Sequence, residues 1–379
     1  MNLETLLSTE FPLQDGLIYL NHAAVAPWPK RTEDAVIAFA HENKVQGAKG
    51  YLDWLEVETS LRKKFTRLIN APSIDDIAIV KNTSEALSFV AYGLEWAEGD
   101  NIIISDQEFP SNSIVWRSLE NKGVEVREVD LFSDKTPEDA LIAAIDKQTK
   151  LLSISSVQYA SGLKMDLQTL GEACHRKHIL FCVDAIQSIG ALPFDVTSVH
   201  ADFVMADTHK WMLGPEGVAL FYCRSEIRNR LKLHEYGWHM LNDMTNYTSN
   251  DWQITDTARR FECGSPNMLG IHAANASLSI LLEIGLETIE TELLKRSQHI
   301  VECLKQYEHL TLITNSDSHR LAGIVTFNNN LIDSTVLYQK LMKNNVICAP
   351  RGGGIRFSPH FYTAFDDIEA GVSMASLTD

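Results

Sequence analysis

Short apolar segments alternate with helical patterns between about residues 75 and 225. The predicted strands are residues 77–80, 102–105, 124–129, 151–157, 179–183, 203–206 and 218–222. The predicted helices are residues 85–95, 113–121, 137–146 and 167–177. This alternation is typical of an α/β fold, in which helices cover both faces of a mostly parallel sheet. Such sheets bind ligands beyond the carboxyl ends of their strands.

The pattern changes after about residue 265. Two long helical stretches, at 271–290 and 292–307, precede strand-like segments at 310–314 and 323–327. A helix at 334–343 then leads to a last apolar segment at 355–358. This mixture indicates a second, smaller α+β domain, and a chain of 379 residues is long enough for two domains.

Two charged residues stand at the ends of predicted strands. Asp184 ends the apolar segment 179–183, and Lys210 follows the segment 203–206. A lysine amine forms a Schiff base with a carbonyl, and pyridoxal phosphate needs both such a lysine and an acid opposite its pyridinium nitrogen. The pair therefore predicts a pyridoxal-phosphate site, with Lys210 and Asp184 as its catalytic residues.

These residues resemble those of a known family. Asp184, Gln187, His209, Lys210 and the segment Gly214-Pro215-Glu216-Gly217 match the class V aminotransferases, which are pyridoxal-phosphate enzymes of fold type I. The family includes cysteine desulfurases, selenocysteine lyases, kynureninases and epimerases such as isopenicillin N epimerase. The resemblance implies a large domain with a mostly parallel seven-stranded sheet (residues 17–260) and a smaller domain (1–16 and 261–379). It also implies a homodimer with shared active sites.

The start of the predicted helix 85–95 is a candidate phosphate site. Asn82-Thr83-Ser84-Glu85 offers free backbone N–H groups, and the Thr83 and Ser84 hydroxyls add donors. An ordinary helix cap is the alternative interpretation of this segment. The resemblance adds His209 as a cofactor-binding residue, and it implies that Ser265 reaches the phosphate of the neighbouring subunit. Asp207 is not expected to bind phosphate, because its carboxylate would repel it.

Three residues are candidates for the cofactor ring. The resemblance implies that Phe109 stacks on the pyridine ring, where desulfurases and lyases usually have a histidine, although a core phenylalanine is the alternative. It also implies that Gln187 hydrogen-bonds the phenolic oxygen of the cofactor. Gln158 ends another predicted strand and is a weaker candidate near the same oxygen.

The substrate is expected to be a small amino acid. Arg356 matches the arginine of the family that binds the substrate carboxylate, which a planar guanidinium holds by two hydrogen bonds. Arg351 is a second candidate; a solvated surface arginine is the alternative for both residues, and it suits Arg351 better. His22 could touch the substrate or serve a structural role. The glycines at 352–354 indicate a tight turn and not a phosphate loop.

Composition argues against several partners. The formal net charge of −17 disfavours nucleic acid and anionic membranes, which attract basic surfaces. No apolar run approaches the ~18 residues of a membrane helix, and the chain does not begin like a signal peptide. His175 and His178 could share a helix face, but nothing nearby completes a metal site. We therefore expect a cytoplasmic enzyme without a metal.

The absence of a cysteine at one position reduces the number of reactions that the sequence supports. Desulfurases of the resembled family carry a nucleophilic cysteine shortly before the carboxylate-binding arginine, but no cysteine lies between Arg351 and Arg356. Cys348 lies in an apolar run, where a buried thiol is expected. The sequence therefore favours transamination of an L-amino acid through a Lys210 Schiff base. The alternatives are cysteine or cystine C–S cleavage by β-elimination, amino-acid epimerisation, and a regulatory protein that only binds pyridoxal phosphate.

Overall fold

A computed structural model describes residues 3–245, 248 and 252–377 of the chain. The strands are β1 (Ile18–Tyr19), β2 (Ile77–Val80), β3 (Asn101–Ser105), β4 (Glu125–Val129), β5 (Thr149–Ser155), β6 (Leu180–Asp184), β7 (Phe203–Asp207), β8 (Ala219–Cys223), β9 (Leu310–Leu312), β10 (Val325–Asn329), β11 (Val346–Ile347), β12 (Ala349–Arg351) and β13 (Gly354–Phe357). The α-helices are α1 (Leu3–Glu10), α2 (Lys30–Gln46), α3 (Tyr51–Leu68), α4 (Thr83–Gly93), α5 (Ser111–Arg117), α6 (Pro137–Ala143), α7 (Leu167–Lys177), α8 (Ser225–Arg228), α9 (Met268–Ile284), α10 (Leu286–Leu304), α11 (Ser334–Lys343) and α12 (Phe365–Ser376).

A seven-stranded sheet with the order β2-β8-β7-β6-β5-β3-β4 forms the centre of the molecule. Strand β8 runs antiparallel to β2 and β7, and the other neighbouring pairs are parallel. This confirms the predicted α/β fold with a mostly parallel sheet. Ser155 pairs with Asp184 in the ladder between β5 and β6, so the ends of these strands lie side by side. The segments that follow the parallel strands therefore meet at one edge of the sheet.

Helix α4 begins where the sequence predicted a cap. The Asn82 side chain accepts a hydrogen bond of 2.8 Å from the Glu85 backbone N–H, and the Glu85 carboxylate accepts one of 2.7 Å from the Lys81 N–H. These reciprocal bonds satisfy local donors and fix the entry of the chain into the helix. The Thr83 N–H of the first turn donates to Asp207, the last residue of β7, so the helix starts at the carboxyl edge of the sheet.

The second sheet has the antiparallel order β12-β13-β10-β9. Strand β1 pairs in parallel with β11, although the predicted boundary assigned these two strands to different domains. Helix α9 packs on α2 and α3. The division at residue 260 thus remains a prediction, and chain segments from both sides of it pack together.

The long helical region after residue 268 is interrupted once. Gly285 has a φ of 89°, a conformation that favours glycine, and it separates α9 from α10. In the described part of the chain, no single helix has the length and apolar composition needed to cross a bilayer. Helices α9 and α10 meet those requirements only as a pair bent by 85°.

Candidate active site

A cavity of about 270 Å³ opens at the carboxyl ends of β5, β6 and β7. The side chains lining it that the sequence predicts for the site are Thr83, Ser84, Phe109, Asp184, Gln187, His209, Lys210, Arg351 and Arg356. They come from strand ends, the start of α4 and the β12–β13 hairpin, so distant parts of the sequence converge here. A larger cavity of about 790 Å³ lies elsewhere, and neither Lys210 nor Asp184 lines it.

Lys210 and Asp184 are both buried, with 8% and 2% of their surface exposed. Burial lowers the pKa of Lys210, and the charge of Asp184 opposes this change. Burial raises the pKa of Asp184, although the Ile186 backbone N–H donates a hydrogen bond of 3.1 Å to its Oδ1. Desolvation thus shifts each group toward its neutral form. A neutral amine is the form that acts as a nucleophile or a base.

Asp207, the last residue of β7, ties this strand to the start of α4. Its Oδ1 accepts a hydrogen bond of 2.8 Å from the Thr83 backbone N–H, and its Oδ2 lies 3.8 Å from His209 Nδ1. Burial raises the pKa of Asp207 to about 6 and lowers the pKa of His209 to about 4. The sequence left the role of Asp207 open, and the structure gives it the role of an anchor for α4.

Three buried polar atoms of residues lining the cavity have no hydrogen-bond partner in the part of the chain that the structure describes. They are Thr83 Oγ1, His209 Nδ1 and Arg356 Nε. Because buried polar atoms rarely remain unpaired, these are expected to meet a ligand or water. A phosphate suits the Thr83 hydroxyl at the helix start, and a carboxylate suits the guanidinium. The residues present therefore fit pyridoxal phosphate together with an amino acid.

Phe109 forms a wall of the cavity beside the lysine. Its ring centroid lies 5.7 Å from Lys210 Nζ, and the residue is 40% exposed. Tyr159 meets the ring edge to face, with centroids 5.1 Å apart and planes at 81°. A partly exposed ring in this position is available to stack on a planar ligand.

Glu108 supports this wall, and the sequence did not single it out. Its buried carboxylate accepts hydrogen bonds from the Ser155 N–H at 3.0 Å, the Ser155 hydroxyl at 2.5 Å, the Ser105 hydroxyl at 2.8 Å and Asn112 Nδ2 at 2.7 Å. These bonds join the ends of β3 and β5 to α5 and so fix the turn that carries Phe109. In the sequence, Glu108 is only an acidic residue in the turn after a strand. Surface turns commonly contain such residues, so this pattern alone does not indicate a role in the site.

Gln187 lines the cavity, and its side-chain amide makes two hydrogen bonds within the protein. Its Nε2 donates a hydrogen bond of 3.1 Å to the Ala23 carbonyl, and its Oε1 accepts one of 2.8 Å from Trp211 Nε1. One amide N–H is left for a ligand. The two bonds therefore fix the direction of that remaining donor.

Arg356 and Arg351 differ in their surroundings. Arg356 is 2% exposed, lies on β13 and donates a hydrogen bond of 2.7 Å from Nη1 to the Tyr159 carbonyl. Burial lowers its pKa to about 10, so it stays charged at neutral pH. Arg351 is exposed and donates to the Pro350 carbonyl. Gly352, with a φ of 57°, lies in the tight turn between the two arginines.

Two predicted residues, Gln158 and His22, are fully buried and are not among the residues that line the cavity. Gln158 Nε2 donates a hydrogen bond of 3.1 Å to Glu108 Oε1. His22 Nδ1 lies 2.9 Å from the Ser358 carbonyl oxygen, and its Nε2 lies 2.7 Å from the Tyr362 hydroxyl. Of the two roles left open for His22, the structure supports the structural one.

Ser265 lines a separate cavity of about 140 Å³. Lys81 and Glu85, from the start of α4, line the same cavity and form an ion pair of 2.6 Å. Ser265 therefore lies near Lys81 and Glu85 at the start of α4. It is not among the residues that line the Lys210 cavity of its own subunit.

A cluster of Glu58, His239 and Glu262 has the composition of a metal site. Arg62, however, lies 2.7 Å from a Glu58 oxygen and 2.5 Å from a Glu262 oxygen. A guanidinium in this position repels a cation and already pairs the carboxylates. The cluster is therefore a buried ion-pair network that fastens α3 to His239 and Glu262.

Comparison with known proteins identifies the family. The family model for class-V aminotransferases matches residues 18–370. The chain belongs to the class-V aminotransferase family. This family is pyridoxal-phosphate-dependent, so the chain is an enzyme that uses this cofactor, and the cavity around Lys210 holds the residues expected to bind it.

Two relatives and a solved structure extend over most of this class-V aminotransferase. A probable cysteine desulfurase of Methanothermobacter thermautotrophicus is 28% identical over 95% of the chain and 94% of the relative. The uncharacterized aminotransferase YcbU of Bacillus subtilis is 31% identical over 81% of the chain and 80% of the relative. The structure of the cystine C-S lyase C-DES with cysteine persulfide has a TM-score of 0.90 at 21% identity, covering 97% of the chain and 99% of that structure. This last likeness concerns the fold alone.

Proposed function

We propose that this class-V aminotransferase cleaves the Cβ–S bond of a cysteine-derived L-amino acid by β-elimination and releases the sulfur as a free product. The sequence favoured transamination and kept C–S cleavage as an alternative. The relative named a probable cysteine desulfurase, which matches 95% of the chain, supports the alternative. The cavity combines a buried lysine with a buried arginine, as an amino-acid substrate requires, and none of the six cysteines lines it, which is the observation that favours release of the sulfur as a free product.

The positions of the thiols argue against a sulfur carrier on the protein. All six cysteines lie within the described residues, and none of them lines the cavity. Cys348 is 2% exposed, and burial raises its pKa to about 12. Cys263 is partly exposed and lies beside Ser265 in the separate cavity, where burial and the neighbouring Glu235 carboxylate raise its pKa. Because a thiolate is the form that attacks sulfur, neither residue is suited to accept it.

The residues of the cavity divide the work. The bound cofactor supplies an electron sink for the bond that breaks at Cα. Arg356 binds the substrate carboxylate and so orients the Cα–H bond. Lys210 would hold the cofactor through its amine, and its Nζ would take the Cα proton of the bound substrate. Asp184 would hold a proton at the pyridine nitrogen of the cofactor, and Phe109 would contact its ring.

Transamination is the second candidate, because Phe109 carries no proton for a leaving group. In that reaction Lys210 would both take and give back a proton, and no group would leave Cβ. The aminotransferase name of the Bacillus subtilis relative agrees with this candidate.

A single-turnover experiment separates the two. The purified holoenzyme is mixed with L-cysteine, L-cystine, L-alanine and L-glutamate in turn, and the cofactor and products are analysed by mass spectrometry. Elimination is expected to give pyruvate, ammonia and a sulfur product, with the cofactor recovered as the aldehyde. Transamination would instead give pyridoxamine phosphate and a keto acid from every reactive amino acid. That result would contradict the proposed elimination.

A further inference from the structure

The departure of sulfur from Cβ requires a proton donor that Phe109 cannot be. A thiolate leaves a carbon more readily when a proton reaches the sulfur as the bond breaks. Lys210 is the base at Cα, so it holds the Cα proton during this step. A further group in the cavity is therefore needed, and this requirement rests on the proposed function.

Most other polar groups of the cavity are engaged or unsuited. The Ser84 hydroxyl donates a hydrogen bond of 2.9 Å to the Ser111 hydroxyl. Asp207 accepts from the Thr83 backbone N–H. Burial lowers the pKa of His209 to about 4, so this imidazole is neutral at physiological pH and a weak acid.

Tyr159 has a free hydroxyl in the right region. Its side chain lines the cavity together with Lys210, Phe109 and Arg356. Within residues 3–245, 248 and 252–377, no hydrogen-bond partner of the Tyr159 hydroxyl is found. The Tyr159 carbonyl accepts the 2.7 Å bond from Arg356, and the edge-to-face contact with Phe109 fixes the ring. The backbone of Tyr159 thus lies beside Arg356, and its ring lies against Phe109 in the wall of the same cavity.

We propose that Tyr159 is a catalytic residue, the general acid that protonates the departing sulfur. Lys210 Nζ takes the Cα proton, and the electrons of the Cα–H bond form a Cα–Cβ double bond as the Cβ–S bond breaks. The sulfur leaves with the bonding electron pair and takes the hydroxyl proton of Tyr159. The phenolate then regains a proton from Lys210 or solvent. Water hydrolyses the released 2-aminoacrylate to pyruvate and ammonia, which completes the balance.

The test is a leaving-group series with the variant Tyr159→Phe. The substrates are S-(4-nitrophenyl)-L-cysteine, whose thiolate is a weak base, and S-methyl-L-cysteine, whose thiolate is a strong base. Tyr159→Phe is expected to eliminate the methyl thiol about 100-fold more slowly than the unmodified enzyme, and the nitrophenyl thiol within about threefold of it. Tyr338→Phe, which alters a half-buried tyrosine on α11, is the matched control and is expected to change neither rate.

Two further readouts separate an acid from a structural role. The affinity for pyridoxal phosphate, measured by absorbance titration of the cofactor-free protein, is expected to be unchanged in Tyr159→Phe. The exchange of the Cα proton of L-alanine with D₂O is also expected to be unchanged, because no group leaves. A variant that slows both substrates equally, or neither, would overturn the role of Tyr159. An unmodified enzyme that releases no thiol from either substrate would instead overturn the proposed function, and this role with it.

Discussion

Lys210 is buried beside Asp184 and Asp207, and this position makes a clear prediction for the variant Lys210→Ala. Turnover is expected to fall on the order of 1,000-fold, because the variant loses both the cofactor anchor and the base at Cα. Borohydride reduction followed by peptide mass spectrometry is expected to mark residue 210 in the unmodified enzyme only. Lys295→Ala, at an exposed lysine of α10, is the control and is expected to keep full turnover. The regulatory alternative predicts two other results. The unmodified protein would turn over no amino acid, and cells that carry the Lys210→Ala variant would behave like cells that carry the unmodified protein.

Asp207 places a carboxylate at the helix start that would receive the phosphate. The isosteric variant Asp207→Asn keeps an acceptor for the Thr83 N–H but removes the charge. It is expected to bind pyridoxal phosphate about 10-fold more tightly at pH 8, since one repulsion of roughly 1–2 kcal/mol is lost. Burial raises the pKa of Asp207 to about 6, so the unmodified residue takes up a proton below that pH. The difference between the two proteins is therefore expected to shrink at pH 5.

Absorbance titrations of both cofactor-free proteins at pH 8 and pH 5 measure this effect. The contribution of Lys210 to the pH dependence is common to both proteins and cancels in the comparison. Weaker binding by Asp207→Asn at pH 8 would contradict the expected repulsion and would mean that the carboxylate assists the phosphate site.

The catalytic residues could be predicted from the sequence because they lie directly at the ends of predicted strands. Asp184 and Lys210 each come after a buried apolar segment, and that local pattern was enough to predict their meeting. Glu108 could not be found in this way, because its partners Ser155 and Asn112 become neighbours only when β3 and β5 pair with α5 beside them. Gln158 also ends a strand, but the donors and acceptors around it turn its amide toward Glu108.

The helices and strands were also predicted only where the local sequence pattern is clear. The strands of the central sheet were predicted within one or two residues, since each is a short apolar run between polar turns. Helices α2 and α3 were not predicted, although they are 17 and 18 residues long. Only one residue of α2, Thr32, is buried, so its apolar pattern is weak. Its packing against α9, more than 200 residues later, is what defines it, and no local pattern contains that contact.

His22 links β1 to the segment after β13, and its burial predicts a loss of stability in acid. Burial lowers the pKa of His22 from 6.5 to about 4, and the Ser358 carbonyl opposes this change. Because the folded state disfavours the proton, the contribution is complete above pH 6.5 and is lost as the pH falls toward 4. Between pH 7 and pH 5 it amounts to about 2 kcal/mol. The urea midpoint is expected to fall less over this range in His22→Asn than in the unmodified protein.

The same urea titrations of His41→Asn, at an exposed histidine of α2, provide the control. His22→Asn is expected to be less stable at pH 7, because the Tyr362 hydroxyl and the Ser358 carbonyl lose a partner. The informative quantity is therefore the difference between the two pH values and not the midpoint itself. An unchanged difference would mean that His22 is not the group that takes up the proton.

At the scale of the whole molecule, we propose the homodimer with shared sites that the resemblance implies. Ser265 lies outside the Lys210 cavity of its own subunit, so a role at the phosphate requires a partner. Large apolar side chains are exposed near the N-terminal helices, with Ile37 at 58%, Val45 at 55% and Leu52 at 77%. Such residues are typical of surfaces that a second subunit covers.

Subunit complementation tests whether the two sites are shared. Lys210→Ala and Ser265→Asp are expected to be poorly active as separate homodimers, since the first lacks the amine and the second repels the phosphate of its partner. A hybrid dimer, purified through two different affinity tags, has one site with both Lys210 and the partner's Ser265 intact. It is expected to regain about half the activity of the unmodified dimer, because one of its two symmetric sites is restored. A hybrid without recovery would assign Ser265 to its own subunit. A fully active Ser265→Asp homodimer would remove Ser265 from the phosphate site altogether.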